Sequence, residues 1–181
     1  MKFNPTRIDG LLLIDSPPVT DVRGSFGRLW CAQEFAEGGY PFVPTQISIA
    51  HNTRLGTLRG LHWQAYPYGE TKLIRVVSGR IWDVIVDLRS SSRVRFAWQS
   101  FELDASSGQS LLAPPGCAHG YITLSDDTDV LYAIDSAQKP SSARGARWND
   151  PTFAIQWPIE PRVISDRDAG WPDFRSEEEI R

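Results

Sequence analysis

The sequence is poor in the residues that staple small domains or bind metals. Its two cysteines, Cys31 and Cys117, lie far apart without a disulfide spacing, and three histidines are too few for a His-rich metal tract. That usage points to a reducing compartment, so the expected location is the cytoplasm. No apolar run approaches the ~18 residues of a bilayer span, and Leu11 to Ile14, bracketed by Asp9 and Asp15, is too short for a signal-peptide core. Charge of one sign is not gathered into a long block. Nineteen Lys and Arg stand against 22 Asp and Glu, a net charge of −3, so neither nucleic acid nor a membrane surface is an expected partner. Repeats at a fixed period and low-complexity linkers are also missing.

What remains is a chain of 181 residues, 41% hydrophobic and 23% charged, with the length and composition of one folding unit. The expectation is a single domain over 1–181, with the segment from about residue 160 packing back onto it. Fourteen glycines and thirteen prolines leave little room for long helices. Strand-like runs stand at Leu11 to Ile14, Phe26 to Trp30, Gln46 to His51, Lys72 to Val77 and Ile81 to Leu88. Others follow at Phe96 to Leu103, Ser110 to Ala113, Tyr121 to Leu124 and Val130 to Ile134. Ser78-Gly79-Arg80 reads as a tight turn joining its neighbours as antiparallel partners. Helical signals are confined to Ala32 to Ala36, stopped by Gly38-Gly39, and a turn at Ser176 to Ile180. The spacing predicts an all-β protein, a double-sheet jelly roll with a few short helices.

Polar residues interrupt these strands at chemically useful places. Period two puts Asp83 and Asp87 on one face with Ile81 and Ile85. If that face is buried, Asp83 needs a His or Arg partner; if it is solvated, it needs none. In Leu58 to Gln64, His62 and Arg59 should point to opposite faces, and only a bulge at Gly60 could bring both into one pocket. Lys72 and Tyr132 are single polar heads on apolar stripes. Each alone reads as a snorkelling lysine or a core aromatic. Together, His, Asp, Lys and Tyr are the groups that proton transfer beside a carbonyl requires.

Several blocks then fall in order: Gly56 to Gln64, Glu70 to Leu73, Trp82 to Arg89, Pro114 to Gly120, Tyr132, Trp148 to Pro151 and Ser165 to Asp168. Over nearly its whole length the chain resembles the dTDP-4-dehydrorhamnose 3,5-epimerase family. The resemblance implies a cupin-like jelly roll, usually a homodimer, working on a nucleotide-linked 4-keto-6-deoxy sugar without a metal or other cofactor. It implies that His62 removes the proton α to the C4 ketone, that Asp168 orients His62, that Lys72 stabilises the enolate, and that Tyr132 returns a proton to the opposite face. It further implies that Arg23, Gln46 and Arg59 bind the nucleotide. His119 is a candidate for substrate contact and for a pairing with Asp83.

The chain departs from the family pattern at Arg28, where a Glu is usual, and over Ser136 to Ala143. These departures leave open inversion at C3 alone, C5 alone or both. Two readings of other classes compete with epimerisation. One is a non-catalytic sugar-nucleotide binding module. The other is a metal-dependent cupin enzyme, because Pro115 to Gly120 resembles half of a cupin metal motif; its ligand set would be His62, Gln64, Glu70 and His119, with Gln64 a poor stand-in for imidazole.

Overall fold

The computed structural model describes residues 1–175, so the helical turn expected at Ser176 to Ile180 lies outside the described residues. Chain order runs β1 (Lys2–Pro5), β2 (Leu12–Asp15), β3 (Val19–Asp21), β4 (Gly24–Phe26), α1 (Ala32–Glu37), β5 (Gln46–Asn52), β6 (Leu58–Gln64) and β7 (Lys72–Ser78). It continues with β8 (Arg80–Asp87), β9 (Trp98–Asp104), β10 (Gln109–Ala113), β11 (Cys117–Thr123), β12 (Thr128–Ile134), a 3-10 turn at Pro140–Ser142, β13 (Ala143–Gly145) and α2 (Asp166–Ala169). A six-stranded sheet, β1-β2-β10-β7-β12-β5, faces a five-stranded sheet, β13-β6-β11-β8-β9, and β3-β4 form a separate hairpin. The strand pairings are antiparallel. The result is the expected cupin-like jelly roll.

Three apolar layers hold it together. Between the sheets, Ile74, Val76 and Val130 from one side meet Ile81, Ile85 and Tyr121 from the other. Outside the six-stranded sheet, α1 lays Phe35 on Leu12, Leu73 and Leu112, with Phe42 alongside. Outside the five-stranded sheet, Phe153, Ile155 and Phe174 of the C-terminal segment cover Val84, Val86 and Leu88. Both faces of β8 are therefore buried, and the solvated alternative for Asp83 does not hold: its carboxylate is fully buried in the interior.

Three expectations are corrected. Ser78-Gly79-Arg80 does not close a hairpin, because β7 pairs with β10 and β12 while β8 pairs with β11 and β9. Gly79, at φ +73°, passes the chain from one sheet to the other. Ile74 and Val76 then face Ile81 and Ile85 across the core instead of lying beside them. The run Phe26 to Trp30 is not a strand beyond Phe26. Phe26 is exposed, whereas Trp30 packs toward the α1 layer and donates from Nε1 to Phe42 O at 3.0 Å. β11 starts at Cys117, four residues before the expected Tyr121, so His119 is a strand residue.

β6 carries the bulge that a shared pocket for Arg59 and His62 requires. His62 pairs with His119 and Arg59 with Tyr121, so three steps on β6 match two on β11. Gly60 has φ +120°, and a Cβ there would lie 2.6 Å from Gly120 Cα. The close approach of β11 thus requires glycine.

Candidate active site

The bulge turns both Arg59 and His62 toward one cavity of about 350 Å³ between the two sheets. Lys72 from β7, Tyr132 from β12 and Gln46 from β5 line it from the six-stranded side, and His119 of β11 joins His62 on the five-stranded side. Asp168 completes the wall from α2, whose start is capped by Ser165 Oγ accepting from Asp168 N at 3.1 Å. Seven of the eight site residues expected from the sequence converge here.

His62 Nε2 lies 2.7 Å from Asp168 Oδ1, while Asp168 Oδ2 accepts from Gly60 N at 3.2 Å. Burial is the largest single influence on this carboxyl and favours its protonation, but the bond and charge of His62 and the Gly60 N–H together outweigh it. The net effect holds Asp168 below the usual carboxylate range. It is an ionised partner that fixes the His62 ring. A second pair, His119 Nε2 to Asp83 Oδ2 at 2.7 Å, lies deeper, with both side chains buried, as expected for Asp83.

Lys72 Nζ sits 2.8 Å from Glu70 Oε1, with little of either side chain exposed. It is therefore a pocket cation instead of a snorkelling surface lysine. Tyr132 stands edge-on to His119 at 5.9 Å between ring centroids. Burial pushes its phenol well above the ordinary tyrosine range, so it holds its proton at neutral pH. Arg59 donates from Nε to Asn52 Oδ1 at 2.9 Å and from Nη2 to His51 O at 3.2 Å, and Gln46 Nε2 donates to Ser136 O at 2.8 Å.

Arg23 is the exception. It sits at the tip of the β3-β4 hairpin, exposed and paired with Asp21 at 2.5 Å, away from the cavity wall. The hairpin's Val19, Val22 and Phe26 are also exposed, so nothing among the described residues folds it inward. Arg28 likewise lies outside the cavity and pairs with Glu34 of α1. The other departure contributes to the wall through Gln138 and Ala143, the latter opening β13 beside Gln64. Arg144 and Arg167 were missed as lining residues. Arg167 sits beside Asp168 in a block already singled out; Arg144 carried no signal, because β13 is only three residues long.

The alternative metal ligand set is not assembled. His62 and His119 turn Nε2 to separate carboxylates, Glu70 takes Lys72, and no His, Cys, Asp or Glu group among the described residues is arranged to hold an ion.

A jelly roll with an imidazole–carboxylate pair on one wall and an ammonium and a phenol on the other belongs to the class of small-molecule proton-transfer pockets. Residues 5–176 match the family described as dTDP-4-dehydrorhamnose 3,5-epimerase. A relative of that name from Methanothermobacter thermautotrophicus is 35% identical, covering 96% of this chain and 95% of its own. The solved structure of a dTDP-4-dehydrorhamnose 3,5-epimerase from Bacillus anthracis, with TDP and PPi bound, superposes with a TM-score of 0.92 at 35% identity, over 96% of this chain and 99% of that one. A 3′-monoepimerase from Streptomyces bikiniensis, in complex with dTDP-quinovose, gives 0.87 at 29% identity, over 93% and 86%. This chain belongs to the dTDP-4-dehydrorhamnose 3,5-epimerase family. It is an isomerase, a carbohydrate epimerase.

Proposed function

We propose that the chain converts dTDP-4-dehydro-6-deoxy-D-glucose to dTDP-4-dehydro-L-rhamnose by inverting the carbons flanking the C4 ketone. The observation that carries this reading is the placement of His62 and Tyr132 on opposing sheets of one cavity. Inversion needs a base on one face of the carbon and an acid on the other. His62, oriented by Asp168, removes the proton through the ring nitrogen opposite the Asp168 contact. Electrons from the C–H bond move to the C4 oxygen, where Lys72 stabilises the enolate, and this is a large share of the barrier for so weak a carbon acid. Tyr132 then protonates the carbon from the other wall. Arg59 and Gln46 hold the nucleotide, the guanidinium suiting a diphosphate, and His119 contacts the sugar.

The chain acts as one domain and as a homodimer in the cytoplasm. In support of the dimer, β5 is an edge strand with Ile47 and Ile49 exposed, close to 60% each, and the apolar hairpin that carries Arg23 is uncovered. A second copy packed there would bring Arg23 to a nucleotide. Both cysteines are free thiols, which suits the compartment, and no helix among the described residues is long and apolar enough to cross a membrane.

Proton NMR of the purified protein with dTDP-4-dehydro-6-deoxy-D-glucose tests the reaction. The ring couplings should change to those of the L-rhamno product. An unchanged spectrum with the nucleotide sugar bound would favour the binding-module reading, and inversion at C3 alone would place the chain with the monoepimerase.

A further inference from the structure

Behind the proposed acid stands a second phenol that the reaction as described leaves unused. Tyr121, on β11, is fully buried. It lines the same cavity as Tyr132, the two rings flank His119 at 6.1 Å and 5.9 Å between centroids, and each phenol bears on the other's ionisation. The Tyr121 hydroxyl donates to Asn52 Oδ1 at 3.2 Å, and the same oxygen accepts from Arg59 Nε at 2.9 Å. Asn52 is itself held, its amide donating to Thr128 O at 2.9 Å and to Ala50 O at 3.2 Å. A hydrogen-bonded chain of three side chains from three strands, β11, β5 and β6, thus ends beside the cavity phenol. A plain core position would be filled by an apolar ring at no cost in unpaired polar atoms. This one carries a hydroxyl beside the acid, held on Asn52.

We propose that Tyr121 is a positioning residue for Tyr132, holding its phenol before proton transfer and donating a hydrogen bond to its phenolate afterwards. The proposal rests on the reading of Tyr132 as the acid. When Tyr132 protonates the substrate carbon, its O–H bond breaks, the C–H bond forms, and the enolate's negative charge passes to the Tyr132 oxygen. Burial and the Asp83 carboxylate both oppose a charge at that place. The Tyr121 hydroxyl turns from Asn52 Oδ1 to the phenolate, and Asn52 Oδ1 keeps its bond from Arg59, so no buried group is left unpaired. The proton held by His62 then returns to Tyr132 through solvent.

Tyr121→Phe removes one oxygen and keeps the ring. In deuterated water, loss of the substrate C–H proton reports the His62 step and appearance of inverted product reports the Tyr132 step. The expected result is proton loss within about twofold of wild type, inversion slowed about tenfold and KM unchanged. An equal fall in both rates from a folded variant, or undiminished inversion, overturns the proposal. Should the variant not fold, Tyr121→3-fluorotyrosine keeps the hydroxyl as a stronger donor. The ratio of inversion to proton loss should then rise about twofold, and an unchanged ratio overturns the proposal. Tyr132→Phe separates the two readings. Full inversion there would refute Tyr132 as the acid, whereas its loss beside a wild-type Tyr121→Phe would refute the Tyr121 role alone.

Discussion

Asp83 and Asp168 are both withdrawn from water; a histidine holds each, and the Gly60 N–H adds a second bond to Asp168. For Asp168 the proton linkage has a definite sign. Its folded pKa is depressed, so its contribution to stability is fully present above the unfolded value near 3.9 and is lost as pH falls through the folded value. The gap in unfolding free energy between wild type and Asp168→Asn, followed by urea titration, should therefore narrow as pH drops below about 4. At neutral pH the same variant should lose at least about 100-fold in kcat, because the ring loses its orienting charge. Asp83→Ala removes one partner of a buried pair and should cost about 3 kcal/mol in urea denaturation. The need for a partner at Asp83 was legible in the sequence, since a carboxylate among Ile81 and Ile85 is costly alone. The competing solvated reading fell because the six-stranded sheet packs on the Ile81 and Ile85 face of β8, a long-range contact that strand periodicity does not encode.

The β6 bulge is the element on which the site depends. It places Arg59 and His62 in one cavity although regular pleating would send them to opposite faces. Gly60→Ala would put a methyl group against Gly120 and strain a left-handed backbone, so it should destabilise the fold by about 2 kcal/mol or more and lower kcat through the displaced His62. Denaturant midpoints and initial rates measure the two effects. The opposite facing of Arg59 and His62 on a regular strand, with Gly60 between them, made this bulge readable. The path through Ser78-Gly79-Arg80 was not, because a two-sheet crossover and a hairpin use the same turn residues and differ only in which distant strands pair with each arm. α2 escaped notice for a related reason: a single turn has too few residues for a helical period, although its Ser165 cap was there to be read.

On the scale of the whole molecule, strand count and turn spacing sufficed for the jelly roll, and the ordered blocks from Gly56 to Asp168 pointed to Arg59, His62, Lys72, His119, Tyr132 and Asp168 in the cavity but not to Arg144. Arg23 could not be placed, because its hairpin is uncovered in the single chain. Sedimentation should give twice the chain mass of 20.3 kDa, and Ile47→Asp combined with Ile49→Asp should reduce it to one chain. The most direct measurement of the account as a whole is deuterium uptake at C3 and C5 of dTDP-4-dehydro-6-deoxy-D-glucose, comparing wild type with His62→Ala. Wild type should label the inverted carbons far above an enzyme-free control, and His62→Ala should fall by at least about 100-fold. Labelling by the variant at the wild-type rate would contradict the assignment of the base and, with it, the two-walled mechanism.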